Sequence, residues 1–440
     1  MSSMDWLQPE VASQWRQEGK TYAHAINEFV RIGIASDWQE PQEEPEEDKR
    51  PLFAQDIMQM IIAANQADDI ERLHEQVPPA SSPITPYFEE QLQPVCPIGF
   101  IQDYVVVQAG NTREHTKLYV ANSEQLIEIP NILRLGMSSD QQYIAKVTTA
   151  GISVVHNPDL ALNGDHTAYF SWEHIQQTLK KKLARWESLA DCVYPVESLI
   201  DIIPFASGTK VLIVSGYGIY MIEGEQVHLL YPEIEEMESY GEDYTTISVD
   251  MAHGAVSSDS RWIAYGSQMS EHYLLDTYTQ KIHKFEPASS YPHYSLFTQD
   301  NQSVWYNACH FYNGATIKVD LTDIQKDVIN EEDELPLMDQ EMRVYAGASL
   351  QSGNIVGDAY GYLRMIDHNG QEIWRYFVGS TIVGIVVSPD EKWLVVGTYG
   401  GMAHWIDLQS GSRDEYTIGT APIREQSRWI LWKNQQPLRW

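Results

Sequence analysis

Basic residues are scarce in this sequence. Its 440 residues include 62 Asp and Glu against 29 Lys and Arg, which gives a formal net charge of -33. A field of that sign repels the phosphates of nucleic acids and anionic lipid headgroups, and it accelerates encounters with cationic partners. We therefore predict no direct contact with nucleic acid or membrane, and we expect a basic protein as partner. Solubility alone is the alternative explanation of this charge.

Cysteines are few, and long apolar runs are missing. Cys96, Cys192 and Cys309 are odd in number and share no close spacing, so neither a disulfide framework nor a zinc cluster is predicted. No stretch approaches about 18 consecutive apolar residues. The start of the sequence has no basic segment followed by an apolar one. We therefore expect a soluble, cytoplasmic protein.

The motifs of common enzyme classes are also absent. The sequence has no G-x-S-x-G elbow, no phosphate-binding G-x-x-x-x-G-K-[ST] loop, no H-E-x-x-H pair and no dinucleotide-type glycine fingerprint after a predicted strand. The histidines are scattered, and His283, His293 and His310 form the only loose group. A histidine in such a setting is more often structural than a metal ligand. We predict no enzyme activity, no catalytic residue, no cofactor and no metal.

The sequence does contain a repeated unit of about 40 residues. The unit opens with a polar turn around Asp, continues with a short apolar run, and closes with a second apolar run that ends in Asp or Asn. The clearest copy runs from Ser388 to Gly411. Counting looser copies as well, seven openings are found, at Asp103, Asp140, Gly208, Asp259, Asp300, Gly353 and Asp390.

This repeat predicts the fold. Short runs of β-branched and aromatic residues between turn residues are typical of buried strands. Because a single small sheet cannot bury both of its faces, such units stack radially as the blades of a β-propeller. We predict a mainly β fold: a seven-bladed β-propeller over residues 91–440 with a small N-terminal α-helical appendage over residues 1–90. Residues 428–440 resemble half a copy, and we expect them to close the ring by pairing strands from both chain ends.

The segments outside the repeat divide into linkers and inserts. The helical appendage shows apolar residues at helical spacing, and it contains an acidic linker at 37–48 and a Pro-rich linker at 78–86. Its first helix is predicted to use one apolar face, formed by Tyr22, Ile26, Phe29, Val30 and Gly33. Three overlong spacings between copies fall at 172–199, 233–243 and 323–341.

The first of these inserts predicts an amphipathic helix within residues 171–199. Trp172, Ile175, Leu179, Leu183 and Trp186 recur at spacings of three and four. Its other side carries a basic cluster from Lys180 to Arg185. Three interpretations of the cluster remain open: a solvated helix face, a contact with an acidic partner or nucleic acid, and pairing with the acidic linker.

Two stretches carry a family resemblance. Residues Asp358 to Trp374, and similarly Tyr399 to Tyr416, resemble the repeat of quinoprotein-like propellers, in which a strand ends in Asp, a Gly turn follows and Trp opens the next strand. The Ser-x-Asp openings resemble WD40-type blades, although the Gly-His and Trp-Asp pairs of orthodox repeats are absent. The resemblance implies the propeller fold and, where catalysis is absent, a platform for protein contacts. Quinoprotein dehydrogenases are exported and bind a quinone with calcium, and the sequence shows neither an export signal nor such a ligand set.

The acidic inserts are the predicted binding site. Aromatic residues interleaved with carboxylates suit a surface that grips a basic protein. We predict a non-enzymatic protein-binding propeller, and one specific form is an immunity or inhibitor protein that masks a basic toxin or nuclease. The alternative is an enzyme, a hydrolase or an oxidoreductase, with its site at the axial mouth. The predicted partner-binding residues are Glu233, Glu235, Glu236, Glu238, Tyr240, Glu242, Asp243, Tyr244, Glu331, Glu332, Asp333 and Glu334.

Overall fold

The strands of this protein form seven separate antiparallel sheets around a common axis. The structure, a computed structural model, describes residues 5–39, 41–111, 116–183, 198–239, 248–325 and 335–440. Six sheets have four strands and the seventh has five. The seven-bladed β-propeller predicted from the repeat, and implied by the resemblance to WD40-like and quinoprotein-like families, is thereby confirmed.

Each blade takes its strands consecutively from the chain. Blade 1 contains β1 (Val95–Ile101), β2 (Tyr104–Ala109), β3 (Lys117–Ala121) and β4 (Leu126–Ile129). Blade 2 contains β5 (Arg134–Met137), β6 (Tyr143–Val147), β7 (Gly151–His156) and β8 (Asp165–Ser171). Blade 3 contains β9 (Leu199–Phe205), β10 (Lys210–Ser215), β11 (Gly218–Glu223) and β12 (Gln226–Tyr231).

The remaining blades follow the same order. Blade 4 contains β13 (His253–Val256), β14 (Trp262–Gly266), β15 (His272–Asp276) and β16 (Ile282–Phe285). Blade 5 contains β17 (Tyr291–Phe297), β18 (Ser303–His310), β19 (Asn313–Asp320) and β20 (Leu337–Asp339). Blade 6 contains β21 (Val344–Leu350), β22 (Gly353–Asp358), β23 (Tyr362–Ile366) and β24 (Glu372–Phe377). Blade 7 contains β25 (Ile382–Val387), β26 (Trp393–Thr398), β27 (Met402–Asp407), β28 (Arg424–Ile430) and β29 (Leu438–Arg439).

The first strand of every blade lies next to the axis and contacts the first strands of both neighbouring blades. We call these the inner strands. Because each sheet is an antiparallel meander, all inner strands run in the same direction. The face of the ring where they begin, which we call the entry face, carries the links between blades and the turns between second and third strands. The opposite face, the turn face, carries the Asp-bearing turns of the repeat.

Four turns on the turn face share one hydrogen-bond pattern. In blade 4 the Ser257 hydroxyl donates to Asp259 Oδ1 at 2.6 Å, while the backbone N–H groups of Arg261 and Trp262 donate to Asp259 and Ser257. The equivalent hydroxyl-to-carboxylate bonds are Ser138 to Asp140 (2.5 Å), Thr298 to Asp300 (2.7 Å) and Ser388 to Asp390 (2.5 Å). The Ser-x-Asp openings of the repeat are therefore turns that satisfy their polar groups locally.

The residue after each of these Asp residues ties its blade to the preceding one. It has a positive φ in all four turns, at Gln141, Ser260, Asn301 and Glu391. The bonds between blades run from Phe100 N to Gln141 Oε1 (2.6 Å), Ala206 N to Ser260 Oγ (2.9 Å), Ser258 N to Asn301 Oδ1 (3.0 Å) and Gln351 N to Glu391 Oε1 (2.9 Å). The left-handed backbone of the turn thus places a polar side chain across the gap between sheets.

The ring closes without an exchange of strands. Blade 7 consists only of strands from residues 382–439, so the prediction that strands from both chain ends pair in one sheet is wrong. The predicted closing segment instead supplies the fourth and fifth strands of that blade. Blade 1 packs directly on blade 7, with β1 against β25 and β26. Glycine permits this approach, because a Cβ added at Gly397 would lie 1.8 Å from the carbonyl oxygen of Val95.

Three helices precede the propeller: α1 (Pro9–Ala35), α2 (Ala54–Ala67) and α3 (Ile70–Gln76). Short 3₁₀ turns lie at Arg50–Phe53, Thr85–Tyr87 and Glu89–Gln91. Among the residues described, no helix is long and apolar enough to cross a membrane. The buried stripe of α1 is Ala12, Trp15, Gly19, Ala23 and Gly33, whereas the other residues of the predicted apolar face are only half-buried. Small residues prevail in the stripe because the helix lies close against its neighbours: a Cβ at Gly19 would be 3.2 Å from Arg50 Nη1.

These helices cover the outer edge of blade 7. The side-chain amide of Asn65 pairs with the edge strand β29, since Asn65 Nδ2 donates to Arg439 O at 2.9 Å and Arg439 N donates to Asn65 Oδ1 at 2.8 Å. Trp440 is fully buried, and its indole donates to Val77 O at 2.7 Å. The helices share one hydrophobic cluster with β27, β28 and β29. An edge that would otherwise attract another strand is thereby shielded.

A buried ion pair lies where the N-terminal segment meets blade 7. Arg428 donates to both carboxylate oxygens of Glu425, at 2.6 and 2.7 Å, and its Nη1 donates to Ser81 Oγ at 2.6 Å. His404 lies 3.2 Å from the same carboxylate. Burial acts to raise the pKa of Glu425, but Arg428 and His404 outweigh it and hold that pKa at about 2.

Within the described part of the propeller there are three short helices: α4 (Trp172–Lys182), α5 (Ile234–Ser239) and α6 (Leu321–Gln325). Helix α4 buries Trp172, Ile175 and Leu179 against blades 2 and 3, and Lys182 Nζ donates to the carbonyl of Val227 on β12 at 2.8 Å. Lys180 to Lys182 are exposed. Trp186 and Arg185, predicted for the same insert, lie outside the described residues.

Substitution of Gly397 by Ala tests how the ring closes. We expect Gly397→Ala to lower the free energy of unfolding by about 1–3 kcal/mol or more, because the new methyl group overlaps the Val95 carbonyl between blades 7 and 1. Gly216→Ala is the matched control, since the nearest atom to a Cβ there is 4.0 Å away. Urea unfolding measures both. Equal destabilisation in the two variants would contradict closure through this contact.

The Glu425 ion pair predicts an acid-sensitive component of stability. The folded-state pKa of about 2 lies below the ordinary 4.5, so this component is complete above pH 4.5 and is lost as the pH falls from 4.5 towards 2. Its size is about 3 kcal/mol. We expect the free energy of unfolding of Glu425→Gln to change less steeply over that range than that of the wild type. Glu415→Gln, which removes an exposed ion pair with Lys20, should keep the wild-type slope; parallel curves for all three proteins would refute the assignment.

Candidate functional site

The inner strands enclose a cavity of about 600 Å³ along the axis, lined by residues of all seven blades. This volume falls within the range of small-molecule binding sites, roughly 300–1,000 Å³. The sequence pattern did not reveal the cavity wall, because each blade contributes only a few residues to it.

Five of the inner strands carry a β-bulge toward the entry face. The extra residues are Ile98, Ile200, His293, Tyr345 and Val383. All five line the cavity. A bulge redirects side chains out of the regular alternation, and bulges are enriched beside functional sites. We call these five residues the collar; they give this part of the cavity an irregular wall with both apolar and polar side chains.

Two residues of opposite charge, on neighbouring blades, line this cavity. Arg134 is the first residue of β5 and only 6% exposed, and its Nη2 has no hydrogen-bond partner among the described residues. Burial lowers its pKa. Asp201 lies on β9, where one carboxylate oxygen accepts the N–H of Ile202 at 2.7 Å. Its side chain lies deep in the molecule but is exposed to the cavity; burial raises its pKa to about 6, against the opposing effect of Arg134.

Cys96 is the thiol of this cavity wall. Burial raises its pKa to about 12, so it stays protonated at neutral pH and is a poor nucleophile. Its Sγ donates to the Val383 carbonyl at 3.7 Å, across the junction of blades 1 and 7. The arrangement fits a packing role.

Two histidines, His253 and His293, belong to the cavity wall. His253 Nδ1 lies 3.0 Å from Met251 O and His293 Nδ1 lies 3.4 Å from Tyr291 O. The His253 Nε2 is buried without a hydrogen-bond partner among the described residues, whereas His293 also interacts with the backbone of Val344. Burial lowers the pKa of each to about 4.

The loose histidine group of the sequence is not a cluster in space. His293 interacts with His253, which the sequence did not single out, whereas His283 lies buried on β16 and His310 makes an edge-to-face contact with Phe311. Within the described ranges, no three or more His, Cys, Asp or Glu side chains are placed to hold a metal ion.

The first acidic insert is described only in part. Helix α5 lies in the link between β12 and β13, on the entry face, and Met237 anchors it with 1% exposure. Glu233 forms an ion pair with Lys284, in which Lys284 Nζ lies 2.7 Å from Glu233 Oε1. Glu235 and Glu238 are exposed, and Glu236 is half-buried. The other predicted residues of this insert, Tyr240, Glu242, Asp243 and Tyr244, lie outside the described residues.

The described residues that flank the second acidic insert lie on the opposite face, the turn face. Glu331, Glu332, Asp333 and Glu334 all lie outside the described residues. They are flanked by α6, which follows the third strand of blade 5 on the turn face, and by β20, the fourth strand of that blade. The structure therefore does not bring α5 and α6 together.

An exposed aromatic surface on the entry face was missed by sequence reasoning. It consists of residues in the turns between second and third strands of three consecutive blades: Phe311 (64% exposed), Tyr312 (75%), Tyr360 (54%) and Tyr399 (48%). We call these four residues the aromatic patch. Neighbours order it, because Tyr360 Oη donates to Tyr312 O at 3.3 Å and Arg343 Nη1 donates to Phe311 O at 2.9 Å. The available signal was an aromatic residue just before or near a glycine at the same place in three copies of the repeat.

The cavity histidines predict a second pH-dependent component of stability. His253 has an ordinary pKa of 6.5 but about 4 in the folded protein, so the unfolded chain binds its proton first. Stability from this residue is complete above pH 6.5 and falls by about 3 kcal/mol as the pH drops to 4. We expect His253→Asn, which retains a donor toward Met251, to show a shallower loss of unfolding free energy over this range. The half-buried His174, on helix α4, supplies the control His174→Asn, and an unchanged slope in His253→Asn would contradict the assignment.

Comparison with known proteins assigns the chain to no family. No protein-family model matches the sequence, and no curated protein is significantly similar to it. Among solved structures, the chain is similar to the β-propeller domain of Cps50 (Swd1) from Myceliophteria thermophila, with 9% identity and a TM-score of 0.47 over 69% of this chain and 93% of that one. It is also similar to BamB from Moraxella catarrhalis, with 12% identity and a TM-score of 0.37 over 69% of this chain and 80% of that one.

Proposed function

We propose that this protein is a non-enzymatic binding propeller that holds a basic protein partner on its entry face. The observation that carries the proposal is the aromatic patch, in which Phe311, Tyr312, Tyr360 and Tyr399 are exposed on three adjacent blades. Exposed aromatic side chains held in fixed positions are typical of the residues that contribute most to protein interfaces. Propellers of this kind commonly serve protein interactions, and the aromatic patch is the contact surface that we propose.

Charge supports the basic character of the partner. The chain carries a net charge of -33, and the exposed carboxylates of Glu235 and Glu238 lie on the same face as the aromatic patch. Opposite fields accelerate encounter, whereas buried aromatic contacts slow dissociation. A partner broad enough to cover the entry face would use both.

An immunity or inhibitor protein is the narrower form of this proposal. Such a protein would cover the active site of a basic toxin or nuclease, and its support is the opposition of charge. The alternative function, an enzyme with its site at the axial mouth, has less support. The thiol in the cavity has a pKa raised to about 12, and the two cavity histidines have pKa values near 4, which suits neither a nucleophile nor a general base at neutral pH.

Binding kinetics of face-specific variants test the proposal. The partner is captured from host extract, identified, purified and measured by surface plasmon resonance. We expect the Phe311→Ala/Tyr360→Ala double variant to raise Kd by about 10- to 100-fold, mainly through faster dissociation. We expect Glu235→Gln/Glu238→Gln to slow association and to flatten its salt dependence.

The control for both variants is Tyr278→Ala. Tyr278 is 72% exposed and lies between the third and fourth strands of blade 4, on the turn face. Its loss should leave the kinetics unchanged. Unchanged binding by the aromatic double variant, or a captured partner that is acidic, would refute the proposal.

A further inference from the structure

We infer that the axial cavity is a socket for one lysine side chain of the basic partner, with Asp201 as the carboxylate that receives its ammonium group. The socket rests on the proposed function, from which it takes the basic character of the partner, and it specifies how that partner is recognised. Three features support it: an exposed carboxylate deep in the cavity, an apolar wall beside that carboxylate, and a cavity mouth that is continuous with the aromatic patch.

Asp201 supplies the negative charge of the socket. Its side chain lines the cavity and is exposed there, although burial in the surrounding protein raises its pKa to about 6. The described residues form no ion pair with it, since Arg134 acts on it from the neighbouring blade but leaves it exposed. A carboxylate that is largely removed from bulk water is stabilised by a cation that enters its cavity.

The hydrogen bonds around Asp201 favour an ammonium group over a guanidinium. One carboxylate oxygen already accepts the Ile202 N–H at 2.7 Å, so both oxygens are not free for the bidentate fork of an arginine. A lysine ammonium is compact and needs one oxygen. A second acceptor lies on the same wall: the Tyr294 hydroxyl donates to Gly347 O at 3.2 Å, and its oxygen can still accept. Burial raises the pKa of Tyr294 and the charge of Asp201 adds to that rise, so the two groups lie within electrostatic range.

The collar provides the apolar wall that a lysine side chain needs. Inner strands begin at the entry face, and Asp201 directly follows the collar residue Ile200 on β9, so the carboxylate lies just inside the collar. Ile98, Ile200 and Val383 line the cavity. A lysine packs its apolar stem against such residues while its charged end reaches a polar group. The volume of about 600 Å³ leaves room for waters that accept from the other ammonium N–H groups.

The aromatic patch is continuous with the mouth of this cavity. Tyr399 belongs to the patch, whereas Tyr345 belongs to the collar and Cys96 to the cavity wall. Burial raises the pKa of Tyr399, and Tyr345 and Cys96 add to that rise, so the Tyr399 hydroxyl lies within electrostatic range of both. A partner seated on the aromatic patch therefore lies beside the entrance to the socket. Aromatic ring faces also attract ammonium groups, so these tyrosines favour the entry of a lysine.

Two capped amino acids that differ in one group test the charge requirement. Nα-acetyl-L-lysine N-methylamide carries the ammonium group, and Nα-acetyl-L-norleucine N-methylamide has the same stem without it; saturation-transfer NMR titrations measure the binding of each to the full chain. We expect the wild type to bind the lysine probe about tenfold more tightly than the norleucine probe. Asp201→Asn keeps an oxygen for the Ile202 N–H, and it should remove this preference.

Asp165→Asn is the matched control. It removes a carboxylate that is 89% exposed on the outer strand of blade 2, and it should leave the binding of both probes unchanged. Circular dichroism verifies the fold of each variant. A measurement on the unaltered protein does not depend on any variant: a saturating concentration of the lysine probe should slow association with the captured partner, and the norleucine probe should not.

The captured partner separates the socket from the aromatic patch. We expect Asp201→Asn to raise the Kd of the partner by about tenfold, and the Phe311→Ala/Tyr360→Ala variant to bind the lysine probe as the wild type does. Weaker probe and partner binding by Asp201→Asn, together with normal partner binding by the patch variant, would support the socket and refute the patch. Unchanged probe binding by Asp201→Asn would overturn the socket and leave the proposed function to the patch variant. Loss of the probe with unchanged partner binding would show a site for small cations only and would also overturn the socket.

Discussion

Closure of the ring is the constraint on which the rest of this structure depends. Every blade has two apolar faces, and only a complete ring covers both faces of all seven. In this protein no strand from one chain end joins the sheet of the other, so closure relies on direct contact between blades 1 and 7. Gly384 and Gly397 make that contact possible, since a Cβ at Gly384 would lie 2.7 Å from Cys96 Sγ and one at Gly397 would overlap Val95. The helices before the propeller then protect the strand edge of blade 7, where Asn65 occupies the backbone groups of Arg439.

The two faces of the ring differ in what their side chains contact. On the turn face, polar side chains accept hydrogen bonds from the backbone of the neighbouring blade, at Gln141, Ser260, Asn301 and Glu391. We regard the turn face as a scaffold, because substituting these side chains to suit a ligand would break hydrogen bonds between blades and lower the stability of the fold. The entry face carries the links between blades, the bulged ends of the inner strands and the exposed aromatic turns. The bulges and the exposed aromatic side chains lower local stability, and they are concentrated on the entry face. Binding residues are expected at places of this kind.

The sequence predicted the turns within each repeat, but it did not predict the bulges or the contact that closes the ring, which depend on pairing between strands or blades. Six of the seven repeat openings fall in turns between first and second strands, and the seventh, Gly353, is the first residue of a second strand. Four of them are turns that, like Ser257 to Asp259, satisfy their own hydrogen bonds and so leave a direct trace in the sequence. The collar left no such trace: a bulge at His293 or Tyr345 depends on register with the next strand, which spacing alone does not reveal. Closure was mispredicted for a similar reason, since Gly397 is an ordinary strand residue until Val95, some 300 positions earlier, is placed against it.

A short chain of contacts joins the cavity to the aromatic patch. Tyr345 is a collar residue; the guanidinium of Arg343 lies 5.2 Å from the centre of its ring, and Arg343 Nη1 donates to the Phe311 carbonyl. A ligand that repositions Tyr345 must therefore change either the Arg343 stack or the turn that presents Phe311. By thermodynamic linkage, any factor by which a cavity ligand alters partner affinity is the factor by which the partner alters ligand affinity. Spatial continuity alone does not establish such coupling. It does identify Arg343 as the residue that contacts both the collar, through Tyr345, and the aromatic patch, through Phe311.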